Sequence, residues 1–298
     1  MKIVSLIPSA TEIVFALGLG DQLAGVTFEC DYPPAARSKP AVSSSALTAA
    51  ELTTPRGIDD AVAAKVAAGE PLYALDAARI ATIQPDLILA QDLCRVCAVP
   101  SGAVEAALDI LGCRADVISL DPSTLDDVID CIRVVGDATG TADTARSLMD
   151  HLRERLDTVR AAVRGRSRPR TLALEWSDPP FSGGHWVPEM IASAGGEPVL
   201  SVTGVPSRRL TWDEIASETT DAVVFMPCGY GLEEAVHEGQ RLLAQPELAD
   251  VRHLYAVDAT AYFSRPGPRL VDGVEILAAA LHPEAVPPTS PAALRVLR

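Results

Sequence analysis

Ile3-Val4-Ser5-Leu6-Ile7-Pro8-Ser9-Ala10-Thr11-Glu12 is the stretch on which the fold turns. Its β-branched opening reads as a short strand. Ser9-x-x-Glu12 has the form of a capping box, Ile13 to Leu17 carries a helix, and Gly18 ends it. A strand that runs straight into a helix is half of a βαβ unit. The pattern recurs, with strands expected over residues 23–27, 86–90 and 115–120 and a helix over 104–111. Strands separated by helices imply a parallel sheet with crossovers. Within this half, Ile58, Val62 and Val66 recur every four residues and predict a helix over 58–68. The Ser/Thr/Ala-rich stretch 43–55 before it reads as a loop.

From Asp121-Pro122-Ser123 the period changes. Leu125, Val128, Ile129, Ile132 and Val135 fall at helical spacing, Gly136 to Gly140 interrupts, and Leu148, Leu152, Leu156, Val159 and Val163 resume it. A long mid-chain helix suits a linker, or else a crossover inside one larger sheet. The strand–helix alternation then restarts. Strands are expected at 171–176, 222–226 and 253–258, and helices at 187–194 and 270–281. The Pro-rich tail from Pro283 is expected to be irregular. The expected fold is α/β: two Rossmann-like lobes with parallel sheets over 1–121 and 169–298, joined by a helical linker over 122–168. A ligand cleft is expected between the lobes.

Composition narrows the function. The chain of 298 residues is 48% hydrophobic and carries a net charge of −15. So acidic a surface repels phosphate backbones, which argues against nucleic acid as a partner. No stretch approaches the roughly 18 apolar residues of a membrane span, so no membrane insertion is expected. Met1-Lys2 leads straight into the first strand without a leader-like apolar core, and this reads as cytoplasmic.

In open parallel sheets, ligands bind outside the carboxyl ends of the strands. The residues there are Glu29 and Cys30 after the second strand, and Gln91, Cys94 and Cys97 after the third. In the second half they are Glu175, Asp178, Phe181, His185, Trp186, Cys228, Tyr230, Tyr262 and Arg265. Four of the six cysteines, Cys30, Cys94, Cys97 and Cys228, fall in these loops. Thiolates gathered in one cleft suit zinc, Cu(I) or an iron–sulfur cluster; the alternative is four small residues in tight turns. Cys113 and Cys131 read as packing. His185 with Trp186 is either a rim contact or a packed loop. Glu175 either binds a polar ligand or pairs with an arginine such as Arg269. Arg265 and Arg269 either meet an anionic ligand or neutralise nearby acids. There is no Walker loop, no Gly-x-Ser-x-Gly and no His-Glu-x-x-His, and nothing reads as a nucleophile–base pair.

The opening stretch, Asp31-Tyr32-Pro33-Pro34, Pro85-Asp86-Leu87-Ile88, Asp178-Pro179-Pro180-Phe181, Gly195-Gly196-Glu197 and Pro268-Arg269, taken in order, resemble the helical-backbone, two-lobed substrate-binding proteins of ABC importers for cobalamin and iron-siderophores. This is the class III periplasmic-binding-protein-like fold. The resemblance covers residues 2–282 and is closest to the cobalamin-binding members. It implies a rigid connecting helix, a small-molecule or metal-chelate ligand such as cobalamin or another corrinoid, and an ABC permease as partner. Phe181 and Tyr262 match aromatic positions that grip the corrin in that family. Glu29, Gln91 and Ser207 occupy others and are not aromatic. Glu197 matches one of two permease-docking glutamates, and the other falls on Ala78, near Asp76. Residues 43–72 are an insertion expected to cover the cleft. The function implied is a ligand-binding protein. The alternative is a cytoplasmic enzyme or redox protein that uses the cleft cysteines to hold an iron–sulfur cluster or zinc.

Overall fold

The computed structural model describes residues 1–48, 50–92, 102, 104, 108, 114–288 and 293–298. The chain divides into two compact units, Met1–Pro122 with Asp130–Met149, and Ser123–Ile129 with Asp150–Arg298.

The first unit contains β1 (Ile3–Ser5), α1 (Pro8–Ala16), β2 (Leu23–Gly25), β3 (Ser43–Ser45), α2 (Pro55–Ala68), β4 (Tyr73–Leu75), α3 (Ala77–Ile83), β5 (Leu87–Ala90) and β6 (Asp116–Ser119). Its main sheet has the order β2-β1-β5-β6, with every neighbouring pair parallel. Ile3 faces Leu87, Val4 faces Ile88 and Ser5 faces Leu89. All of β1 and β5 is buried. That explains the unbroken apolar run of β5 and the lack of alternation in β1, whose Ser5 is itself buried: strands covered on both faces have no polar face to alternate with.

Two local expectations are corrected here. The Ser9–Glu12 capping box does not form. Pro8 takes the first helical position, Ile7 is the cap residue, and no side chain caps the helix. Proline presets the helical φ and has no N–H to satisfy, so the helix starts early enough to bury Ser9 and Glu12 inside it. The stretch 43–55 is not all loop. Ser43–Ser45 pairs antiparallel with β4, with Ser43 opposite Leu75 and Ser45 opposite Tyr73. Serine is a poor strand former, and the pairing comes from its anchor. The Val42 amide donates to the Val26 carbonyl, and the Asp76 amide donates to the Val42 carbonyl, both at 2.8 Å. Gly25 makes room for this, because a Cβ there would lie 2.8 Å from Val42 Cγ1.

The single linker helix is in fact two helices, α4 (Leu125–Thr139) and α5 (Ala142–Ala162). Gly140 breaks them at a φ of +72°, a conformation that costs glycine little. The apolar stripe is buried as its spacing requires, from Leu125 to Val135 and from Leu152 to Val163.

The second unit continues with β7 (Arg170–Ser177), β8 (Pro180–Ser182), α6 (Val187–Ser193), β9 (Glu197–Pro198), α7 (Trp212–Ser217), β10 (Ala222–Phe225), α8 (Leu232–Leu242), β11 (His253–Val257), α9 (Ala259–Tyr262), α10 (Leu270–Leu281) and β12 (Leu294–Val296). The sheet runs β12-β11-β10-β7-β8, with β9 also on β7. Its centre is parallel: Val224 of β10 faces Ala173 of β7 and Tyr255 of β11. Its β8 and β12 edges are antiparallel, so the sheet is mixed rather than wholly parallel. The Pro-rich tail ends in β12 instead of staying irregular. Arg298 then donates through Nη1 to the Leu248 carbonyl at 2.6 Å.

Candidate functional site

The carboxyl ends of β7, β10 and β11 are tied into one surface by backbone hydrogen bonds. The Cys228 amide donates to the Glu175 carbonyl at 3.2 Å, and the Thr260 amide donates to the Tyr230 carbonyl at 3.1 Å. Trp176 and Tyr230 meet edge to face with ring centroids 5.5 Å apart. Phe181 is the cross-strand partner of Trp176, so the two side chains leave the sheet on one face. The Arg209 guanidinium carbon lies 5.7 Å from the Phe181 ring centroid, and that of Arg269 lies 5.7 Å from the Tyr262 centroid. These distances allow cation–π attraction. The four rings are only half-buried.

The polar groups here are held by their neighbours. The Glu175 carboxylate accepts a 3.0 Å hydrogen bond from the Gly184 amide. Glu238, buried beneath the surface, accepts from Ser177 Oγ at 3.0 Å and pairs with Arg241 at 3.2 Å. Burial, followed by the charges of Glu238 and Glu234, pushes the Tyr230 hydroxyl above its ordinary pKa, so the ring stays neutral at physiological pH. Asp178 is exposed and Arg265 half-buried at the same end of the unit. The arrangement offers flat apolar faces, a neutral hydroxyl and cationic edges. It suits holding a flat molecule, and none of these groups is paired as nucleophile and base.

Trp186 and His185 take the packed alternative. Trp186 is buried, and its indole Nε1 donates to the Phe263 carbonyl at 2.8 Å. His185 stacks on Trp186, and its backbone is clamped to the following loop through Val205 and Gly204. Burial holds its imidazole below the ordinary pKa.

In the first unit, Gln91 is also structural. It is buried, and its Nε2 donates to the Leu120 carbonyl at 3.1 Å, joining the ends of β5 and β6. Glu29 is half-buried, with its amide on Thr27 Oγ1 at 3.1 Å. Cys30 is buried with its Sγ 3.1 Å from Thr11 Oγ1 and 3.3 Å from Thr27 Oγ1. Cys228 is exposed in the turn after β10.

The thiolate site gains no support from this geometry. Cys94, Cys97 and Cys113 lie outside the described residues. Among the described residues no three His, Cys, Asp or Glu side chains are grouped to hold a metal ion. Cys30 follows the packing alternative, because its sulfur is spent between two threonine hydroxyls.

Trp176, Arg209 and Arg269 complete the surface. Trp176 escaped the census of strand ends because it lies inside β7, one residue before its end. Its signal was the short turn at Asp178-Pro179, which sets Trp176 opposite Phe181. Arg209 had no local signal, since an isolated bridge brings it opposite Phe181 across an intervening helix.

Residues 3–254 match the protein family described as periplasmic binding protein. The chain belongs to that family. The vitamin B12-binding protein of Vibrio cholerae serotype O1 is 25% identical over 283 residues, 92% of this chain and 86% of that protein. Among solved structures, the periplasmic vitamin B12 binding protein of Vibrio cholerae superposes with a TM-score of 0.67 and 23% identity, covering 94% of this chain and 96% of that one. A periplasmic haem binding protein from Pseudomonas aeruginosa gives a TM-score of 0.70 and 23% identity, covering 99% and 97%. At that identity the two structures speak to fold, and the fold is that of the resemblance. The enzyme or iron–sulfur alternative finds no support in this family.

Membership also corrects the compartment. The family is described as periplasmic binding protein, which overturns the cytoplasmic expectation. A leader is cut from an exported chain, so a folded domain carries no trace of one, and the first strand is silent about compartment. Among the described residues no helix is long and apolar enough to cross a membrane.

Proposed function

We propose that this periplasmic binding protein holds a flat, metal-chelating macrocycle of the corrinoid type and delivers it to an ABC permease. The supporting observation is the half-buried aromatic surface of Trp176, Tyr230, Phe181 and Tyr262 at the strand ends, edged by Arg209 and Arg269. Flat rings offer a macrocycle dispersion and apolar contact, and the guanidinium edges take its polar periphery. The name of the Vibrio cholerae relative points to the same ligand class. Arg265 and Asp178 are the remaining polar contacts proposed on this surface.

For the permease, Glu197 is the proposed docking residue in the second unit. Its carboxylate rests 2.7 Å from Arg170 Nη1 and is half exposed, so a permease arginine would compete with Arg170 for it.

The test is a titration of the purified protein with cyanocobalamin, followed by tryptophan quenching and melting temperature. Saturable quenching and a rise in melting temperature at excess ligand are expected, because a ligand that binds only the folded state stabilises it by mass action. Haemin serves as the second chelate. No response to either would overturn the reading.

A further inference from the structure

Helix α8 of the second unit carries an acid on its inward face. Leu232, Ala235, Gly239 and Leu242 are buried there, and Glu238 is buried with them, only 7% exposed. Gly239 lets the helix come close to the sheet, since an added Cβ would lie 3.2 Å from Phe225 Cδ1 of β10. Glu238 Oε2 pairs with Arg241 at 3.2 Å, but the Arg241 side chain is 61% exposed. An ion pair open to water on one side returns little against the cost of burying a carboxylate. Apolar residues commonly replace buried ion pairs without loss of stability, so the acid calls for another explanation.

The other carboxylate oxygen supplies one. Glu238 Oε1 accepts the 3.0 Å hydrogen bond from Ser177 Oγ, and both residues are buried. Ser177 is the last residue of β7 and follows Trp176 directly. It also faces Pro180 across the turn that sets Trp176 opposite Phe181. At the other end of the bond, α8 begins two residues after Tyr230. Gly231, the residue between, donates its amide to Glu234 Oε2 at 2.8 Å, which fastens the Tyr230 turn to the first turn of the helix. The Glu238–Ser177 bond therefore joins the two segments that carry the Trp176 and Tyr230 rings, whose planes meet at 71°. A hydrogen bond to a carboxylate is stronger than one between neutral groups, and its direction fixes geometry.

We infer that Glu238 is a positioning residue for the ligand surface of the second unit: through Ser177 it fixes how the Trp176 and Tyr230 rings are presented to the macrocycle. This rests on the functional reading above and deepens it. All four residues lie in the second unit. Glu238 itself stays beneath the surface and acts on the ligand only through the rings it holds.

The experiment compares wild type, Glu238→Gln, Glu238→Leu, Ser177→Ala and the double variant Glu238→Leu with Ser177→Ala. Affinity for cyanocobalamin and haemin is read by equilibrium dialysis, ring geometry by near-ultraviolet circular dichroism of the ligand-free protein, and folding by melting temperature. Glu238→Leu and Ser177→Ala should each weaken the chelate that binds wild type by about tenfold and alter the near-ultraviolet spectrum. The double variant should be no weaker than either single one, because both lose the same bond. Glu238→Gln keeps an oxygen that can accept from Ser177 and should recover most of the affinity that Glu238→Leu loses. Binding within about twofold of wild type in both Glu238→Leu and Ser177→Ala, whatever their melting temperatures, overturns this inference and leaves the functional reading standing. So does an additive double variant, or a Glu238→Gln as weak as Glu238→Leu. Should Glu238→Leu fail to fold, Ser177→Ala set against Glu238→Gln decides the outcome. Wild type binding neither chelate overturns the functional reading, and this inference with it.

Discussion

The indole Nε1 of Trp186 donates a 2.8 Å hydrogen bond to the Phe263 carbonyl, joining the start of α6 to the end of α9. Both residues are buried. Trp186→Phe keeps most of the apolar volume and leaves that carbonyl without this donor. A loss of about 1–3 kcal/mol is expected, with ligand affinity unchanged. Urea unfolding and a cyanocobalamin titration on the same preparation check both halves. A change in affinity without loss of stability would place Trp186 in the ligand surface after all.

Gly184 lies against the backbone of Ser207. A Cβ on it would meet the Ser207 amide nitrogen and lie 2.7 Å from the Ser207 Cα. Backbone cannot swing aside as a flexible side chain can. Gly184→Ala should therefore cost about 1–3 kcal/mol and loosen the loop around residues 201–209. Limited proteolysis should show earlier cleavage in that loop, and an unchanged digestion pattern would refute the prediction.

His185 confers a defined pH dependence. Its Nε2 is buried without a hydrogen-bond partner, and burial holds the imidazole below its ordinary pKa. The unfolded chain takes up a proton near pH about 6.5, while the folded chain does so only at lower pH. Stability is therefore full above the unfolded value and falls as the pH drops from there toward the depressed folded value. His185→Asn tolerates the residue's φ of +50° and removes the titrating group. Urea midpoints at pH 7.5 and 5.5 should differ less in the variant than in wild type.

Arg155 of α5 grips α10 inside the second unit. Its Nε and Nη2 donate to Glu275 at 2.9 and 2.7 Å, and Nη2 also reaches Asp272. Arg155→Met strands two carboxylates and should cost about 1–3 kcal/mol. Arg155→Lys should recover only part of this, because a single ammonium cannot reproduce the fork. Chemical denaturation of the three proteins checks the order.

Much of the fold was legible because the relevant signals are local. The buried runs at β1, β5 and β10 announce a parallel sheet, and the stripe from Leu125 to Val163 announces helix. Two of the misreadings share one cause. Ser43–Ser45 is a strand because Val42 is pinned to Val26, and Leu294–Val296 is a strand because Tyr255 and Val257 lie open beside it. Neither partner is near in sequence. The candidate site divides the same way. Phe181, Tyr230 and Tyr262 were read from strand ends, whereas Arg209 arrives from another segment to meet Phe181.

By itself, then, the sequence determined the alternation of strands and helices and the family. Periodicity, turn residues and ordered motifs are all written along the chain. The tertiary structure decided which residues at those strand ends remain available. It spent Trp186, Gln91 and Cys30 on internal partners and left Trp176 and Tyr230 partly open. Availability depends on what stands next to a side chain in space, and burial and hydrogen bonding across distant segments set that.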